Sequence, residues 1–273
     1  MSLLKRIVKD WVPPAVLRII RGLSNQGIRF KGEFDTWAEA ASKCAGYDAD
    51  NILNKVLDAT LKVKRGEAVY ERDSVLFYEI QYAWPVTVAL MCSAAKNKGK
   101  LNVLDFGGAL GSAYFQNRNF LTSIPDVNWS VIEQPNFVEA GKQYIQDETL
   151  KFYPTIESCL KEKSPNVVLL SSVLQYLENP YDLFEKLSLS GADLMVIDRT
   201  PFRSGNLDEV FIQQVPENIY DATYPMWVFG KSKFMDFASK HWRLIIEEVS
   251  QEGEFKVNGV KFSFQGMIFE RRK

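Results

Sequence analysis

The hydrophobic and polar positions of the chain change rhythm near residue 100. Beyond it, short apolar runs at 101–106, 129–132, 150–153, 167–170 and 194–197 alternate with helical periodicity at 112–122, 137–146, 156–163 and 181–187. The run at 167–170 is unbroken, as expected of a strand buried on both faces. Strand and helix in regular alternation predict an α/β fold with a doubly wound, mostly parallel sheet. The chain closes differently. "WRLIIEEV" and "KFSFQGMIFERR" stand on either side of Asn258-Gly259, so an antiparallel C-terminal hairpin is expected to finish the sheet.

Before residue 100 the periodicity is mainly helical. "DTWAEAASKCAGY", "NILNKVLDATLKVKRG" and "VLFYEIQYAWPVTVALMCSAAKN" read as helices, the first capped by Asp35 or Thr36. This divides the chain into an N-terminal helical cap or lid over 1–99 and an α/β domain over 100–273. Within the domain, the segment at about 203–231 is too long for a simple connection and reads as an insertion on the substrate side.

Composition removes several function classes. The net charge is -1, so no basic field points to nucleic acid. Three separated cysteines and one histidine make neither a disulfide framework nor a zinc site, so no metal is expected and a reduced, cytoplasmic setting is the default. The opening "MSLLKRIVKDWVPPAVLRIIRGL" is broken by charges and by Pro13-Pro14. It forms neither a signal peptide nor the roughly 20-residue apolar stretch of a membrane span. Residues 14–23 fit a short amphipathic helix, either in weak contact with a membrane surface or, the plainer reading, packed on its own domain or on a twin subunit of a homo-oligomer.

Candidate chemistry begins at "VLDFGGALGS". A glycine-rich turn after a strand and before a helix brings backbone N–H groups to the ligand crevice of an open α/β sheet. The dinucleotide fingerprint fails, because Ala109 stands where it needs glycine. Asp105, Gly107, Gly108 and Gly111 instead form Asp-x-Gly-Gly-x-x-Gly, which resembles the motif of class I S-adenosylmethionine-dependent methyltransferases. The resemblance implies a Rossmann-like fold, with the acid near the methionine end of the cofactor and the glycines letting the backbone approach it. Glu133 ends the next strand, where a carboxylate can accept charge-assisted bonds from both hydroxyls of an adenosine ribose. Such a carboxylate serves NAD equally well.

"NVVLLSSVLQYLENPYDLFEKL" is similar to the segment after the fourth strand of the same superfamily. It puts Ser171 and Ser172 at the carboxyl end of a strand, the ligand edge, as further cofactor-binding candidates. Gln175 and Tyr176 follow on the loop, for capping and packing or, in the case of Tyr176, for substrate. "FKGEFDTWAEA", "GYD", "YERDSVLFYEIQYAWP", "IDRTPF" and "YPMWVF" resemble a family of bacterial methyltransferases associated with surface-polysaccharide gene clusters. That likeness spans nearly the whole chain and implies a fold and a reaction type, and for the acceptor it hints at a saccharide hydroxyl.

For the acceptor, the fifth strand offers Asp198 and Arg199 at its carboxyl end. An acid beside a fixed cation suits orientation of a polar acceptor, Arg199 could equally grip a carboxylate or phosphate, or the pair simply pins the loop. His241, the residue type most often used as a general base, precedes a strand at the end away from the crevice and reads as structural. The insertion carries Tyr220, Asp221, Tyr224, Trp227 and Phe229, suited to sugar faces or to packing. Upstream, Arg72, Asp73 and Tyr82 fall where the superfamily folds a lid, and helical spacing would put Tyr78 and Tyr82 on one face. The expectation is an S-adenosylmethionine-dependent methyltransferase acting on a small polar acceptor. Its rivals are a non-catalytic scaffold in glycan assembly, since fold does not settle function, and an NAD-dependent oxidoreductase.

Overall fold

The computed structural model describes residues 29–44, 49–215 and 222–273. The expected amphipathic helix at 14–23, the "GYD" stretch, and Tyr220 with Asp221 lie outside them. The central unit runs β4 (Lys100–Phe106), α4 (Ser112–Leu121), β5 (Asp126–Ile132), α5 (Pro135–Ala140), β6 (Leu150–Tyr153), α6 (Ile156–Glu162), β7 (Val167–Ser171), α7 (Pro180–Ser188) and β8 (Leu194–Arg203). These strands pair in parallel, in the order β6-β5-β4-β7-β8. After β9 (Glu209–Val215), β10 (Ala222–Gly230) and α8 (Lys231–Ala238), β11 (Trp242–Val257) turns back as β12 (Val260–Arg271). β12 lies antiparallel between β8 and β11, and the turn is made by Asn258 and Gly259, both at positive φ. That backbone suits the twist of a hairpin.

Alternating side chains divide the sheet's two faces. Val103, Val131, Leu169, Val196 and Ile268 face Leu90 and Phe115 on one side. Leu104, Ile132, Val168, Ile197 and Met267 face Phe184 and Phe234 on the other. Each such burial stabilises by about 1.5–3 kcal/mol, so the strands of this sandwich hold their carboxyl ends in fixed register.

Among the described residues between 29 and 99, short strands stand between the helices expected there. Helices α1 (Trp37–Ser42), α2 (Ala49–Lys64) and α3 (Trp84–Lys96) are interleaved with β1 (Arg29–Phe34), β2 (Tyr70–Arg72) and β3 (Val75–Phe77). Thr36 caps α1, accepting from the Glu39 N–H at 3.1 Å. The long helix expected over 75–97 begins only at Trp84. Pro85 takes its first turn, where a missing N–H costs nothing. Val75–Phe77 instead pair with Tyr70–Arg72 across a turn of Asp73 (φ 52°) and Ser74 (φ 65°). Two positive-φ residues without glycine gave no sequence signal for a hairpin. Tyr78 and Tyr82 therefore share no helix face; Tyr78 is 70% exposed and Tyr82 packs edge-on to Phe120.

The 203–231 stretch forms β9 and β10, paired antiparallel, with β1 on the far edge of β9. The end of β10 joins β8 at Phe202 and Arg203. β1, β9 and β10 thus continue the same sheet from the carboxyl end of β8.

Candidate functional site

A cavity of about 1100 Å³ lies between the carboxyl ends of the central strands and the segments above them. Two irregularities in the sheet shape it. Ile197 pairs with Met267 and Thr200 with Gln265, so Asp198 and Arg199 together oppose Gly266. This is a bulge, with Arg199 at φ 48°, and it aims both side chains out of the ladder. On β11, Val249 pairs with Gln265 and Glu254 with Ser263, so residues 250–253 bow out opposite Phe264. The β2–β3 hairpin completes the roof.

At the glycine turn, Gly107 (φ 71°) donates its N–H to the Ile132 carbonyl at 2.9 Å. A Cβ at Gly107 would meet Val173 Cγ2 at 2.5 Å, so the nearest obstacle to a side chain here is Val173. A Cβ at Gly108 would fall 2.4 Å from Asp105 Oδ2. The glycines let the turn fold down over Asp105. That carboxylate is buried: Trp129 donates its indole N–H to Oδ2 at 3.0 Å, while Oδ1 has no partner. Burial pushes its pKa up to about 7, with the Trp129 bond opposing and the Glu133 charge adding. Glu133 accepts from the backbone N–H of Ala109 at 3.1 Å and of Gln134 at 2.8 Å. Burial again raises its pKa against those two bonds.

The other end of the cavity is built on the bulge. Ser171 donates to Asp198 Oδ2 at 2.9 Å, and the Ser172 N–H to the Asp198 carbonyl at 2.8 Å. Both serines line the cavity but spend these bonds on β8. Gln175, buried beneath, donates to Ser172 Oγ and to the Arg199 carbonyl, each at 3.1 Å. Arg199 stands 3.6 Å from Asp198 and 3.7 Å from Asp73, and Arg72 stands 3.4 Å from Glu252. Burial raises the Asp198 pKa, opposed chiefly by the Arg199 charge. Tyr82 and Tyr224 are also in the wall, as is Tyr176, which donates to Gln213 Oε1 at 3.0 Å.

Two candidates stand elsewhere. Gly111 is the N-cap of α4, at φ 92°, where a Cβ would lie 2.9 Å from Leu150. Trp227 stacks on Trp37 at 5.6 Å and donates to the Leu177 carbonyl, outside the cavity wall. His241 pairs with Glu185 at 2.7 Å and is likewise absent from the wall. Residues not singled out in the sequence join the site. Glu71 is fully buried, accepting from Ser112 Oγ and from the Ser74 N–H at 3.2 Å, and burial pushes its pKa up to about 7. Tyr70, Ser250 and Glu252 also line the cavity. Glu71 sits between Tyr70 and Arg72 in "YER", and the last two in "SQEGEF", a stretch that reads as a turn. The first opens one of the stretches that carry the family resemblance, without Tyr70 or Glu71 standing out in it, and the second has no motif.

Acids outnumber cations in this wall, with Glu71, Asp105, Glu133 and Asp198 against Arg72 and Arg199, before the rim residues Asp73, Glu248 and Glu252 are added. Among the described residues no group of His, Cys, Asp and Glu could hold a metal ion, and no helix is long and apolar enough to cross a membrane.

No protein family model matches the chain, and no curated protein matches it. Among solved structures, the chain is similar to the N-terminal domain of EvdMO1, crystallised in the presence of SAH and D-fucose. The TM-score is 0.48 and the identity 11%, over 83% of this chain and 98% of that one. The CcbJ methyltransferase from Streptomyces caelestis gives a TM-score of 0.44 at 10% identity, over 69% and 90% of the two chains. Magnesium protoporphyrin IX methyltransferase from Synechocystis PCC 6803, with bound SAM, gives 0.42 at 11% identity, over 84% and 99%. Likeness at this level carries neither activity nor substrate from one chain to another.

Proposed function

We propose that this chain binds S-adenosylmethionine and transfers its methyl group to a hydroxyl of a small polar acceptor. The observation that carries the reading is Asp105, a buried carboxylate with one unpartnered oxygen under a side-chain-free turn. An orphaned buried acceptor calls for a donor or a positive charge. The residues present fit the cofactor. Asp105 would meet its methionine end and Glu133 its ribose hydroxyls, on either side of the turn that Gly107 and Gly108 let fold down over Asp105. The excess of carboxylates favours a cationic sulfonium and disfavours the pyrophosphate of NAD, whose negative charges would meet the same acids.

When bound, the cofactor supplies an electrophilic methyl: the oxygen–methyl bond forms as the sulfur–methyl bond breaks, and the bonding pair stays on sulfur. The chain's own residues do the rest. Asp198 receives the hydroxyl proton on its carboxylate, made more basic than usual by burial. Arg199, aimed by the bulge, fixes the acceptor beside it. The roof of hairpin and bowed strand keeps water from the reacting atoms. A saccharide hydroxyl in surface-glycan assembly is the acceptor that the sequence resemblance hints at, and the aromatic side chains of Tyr82, Tyr176 and Tyr224 in the wall support it.

Calorimetry with S-adenosylmethionine, S-adenosylhomocysteine and NAD tests the reading. The first two are expected to bind and NAD to stay silent. Glu133→Ala removes charge-assisted contacts of about 1.5–3 kcal/mol each, so affinity for both should fall at least about tenfold. NAD binding with silence from the other two overturns the assignment.

A further inference from the structure

We infer that Tyr70, together with Ser250, holds the acceptor, in a subsite matched to a neutral hydroxylated group rather than to an anion or an amine. The inference rests on the methyl-transfer reading above and names the acceptor's chemistry and the residues that recognise it.

Tyr70 is 1% exposed, with its ring stacked on Phe77 at 4.6 Å, and its hydroxyl has no hydrogen-bond partner. Buried phenols ordinarily find one. Ser250 Oγ, on the bowed segment of β11, is buried and unpartnered in the same way. Both residues line the cavity. The hairpin that carries Tyr70 is tied to Arg199 through Asp73 at 3.7 Å and to the bowed segment of β11 through Arg72 and Glu252 at 3.4 Å. It therefore belongs to the Asp198–Arg199 end of the cavity. Tyr70 opens the "YERDSVLFYEIQYAWP" stretch, while Ser250 lies in no motif.

The charges around it select the ligand. Arg72 is matched by Glu252, and Arg199 by both Asp73 and Asp198, leaving two guanidinium groups against three carboxylates. A carboxylate or phosphate would add to a surplus of negative charge. An ammonium would lie beside two guanidinium groups that already occupy the acids. A hydroxyl donates and accepts at once, so it can bond a carboxylate and a phenol together without changing that balance. Its methylation yields an ether, with the released proton on Asp198.

The test uses the full-length chain, cofactor carrying a carbon-13 methyl, and extract of cells lacking the protein as acceptor source. The native chain should produce an O-methyl ether signal by NMR. Tyr70→Phe keeps the stacked ring and deletes only the orphaned oxygen. It should raise the half-saturating extract concentration by about fivefold or more while the S-adenosylhomocysteine Kd stays within about twofold. Its melting temperature should equal or exceed the native one, because the lost hydroxyl had no partner to lose. Ser250→Ala should shift half-saturation in the same direction. A methyl ester or N-methyl product overturns the hydroxyl assignment. Unchanged half-saturation, or a lower melting temperature for Tyr70→Phe, overturns the role of Tyr70. No labelled product from the native chain defeats the methyl-transfer reading itself, and this inference with it.

Discussion

Trp129 donates its indole N–H to Asp105 at 3.0 Å across the parallel pair β4–β5, and thereby fixes one carboxylate oxygen while the other stays buried and bare. The pair is set by register: Asp105 aligns with Val131, two residues beyond Trp129 and so on the same face. One hydrogen bond does not offset the loss of water around a charge, so burial raises the pKa of this acid to about 7 in the ligand-free chain.

The first prediction concerns pH. Asp105 and Glu71 rise from 3.8 and 4.5 to about 7 on folding, and burial also raises Glu133 and Asp198. In the window between those values the folded state binds more protons than the unfolded one. Stability from these groups is therefore full below the unfolded values and is lost as pH rises toward 7. Denaturant melts of the ligand-free chain from pH 5 to pH 8 should show a falling midpoint, and Glu71→Gln should flatten the slope. A midpoint that rises over this range, or a slope unchanged in Glu71→Gln, would contradict the assignment.

The second concerns Gly108. With Asp105 pinned by Trp129, an added Cβ 2.4 Å from its carboxylate cannot be met by a simple swing of the side chain. Gly108→Ala should cost about 1–3 kcal/mol of stability and lower cofactor affinity together. Thermal melts and calorimetry measure the two. Gly107→Val should behave similarly for a different reason, since it places a β-branched side chain at φ 71° against Val173.

The third separates catalysis from scaffolding. Asp198→Asn should leave S-adenosylhomocysteine binding nearly intact while turnover on extract acceptor drops about 100-fold, the scale of a lost proton acceptor. His241→Gln should leave turnover near native, because His241 pairs with Glu185 and does not reach the cavity. The opposite pattern would put the active edge in the wrong place. Transfer by none of the proteins, native included, would favour the scaffold.

The fourth tests the bulge. Gly266 faces Asp198 and Arg199, and a Cβ there would lie 2.8 Å from Pro85 and 3.3 Å from Asp198 Oδ1. Gly266→Ala should therefore lower turnover more than cofactor affinity, by displacing the acid from its position. Equal losses in both would mean that the bulge does no more than stabilise the sheet.

Periodicity and local turn chemistry determined the alternation of β4 to β8 with their helices, because each buried strand and amphipathic helix writes its own pattern into consecutive residues. Asp105, Gly107, Gly108 and Glu133 were legible for the same reason: a glycine turn and an acid at a strand end are local features. The β2–β3 hairpin was not, since Asp73 and Ser74 take positive φ without glycine, in a turn held by the Ser74 N–H bond to Glu71 and by Asp73 beside Arg199. Nor could sequence separate Tyr224, in the cavity wall, from Trp227, which turns away to stack on Trp37. The bulge that aims Asp198 and Arg199 exists only because β12 spends one residue opposite two of β8. Tyr70, Glu71, Ser250 and Glu252 come to the site from segments about 180 residues apart in the chain. Only the folded sheet decided which of their polar atoms would be buried without partners, because that depends on neighbours distant in sequence, and no local pattern records them.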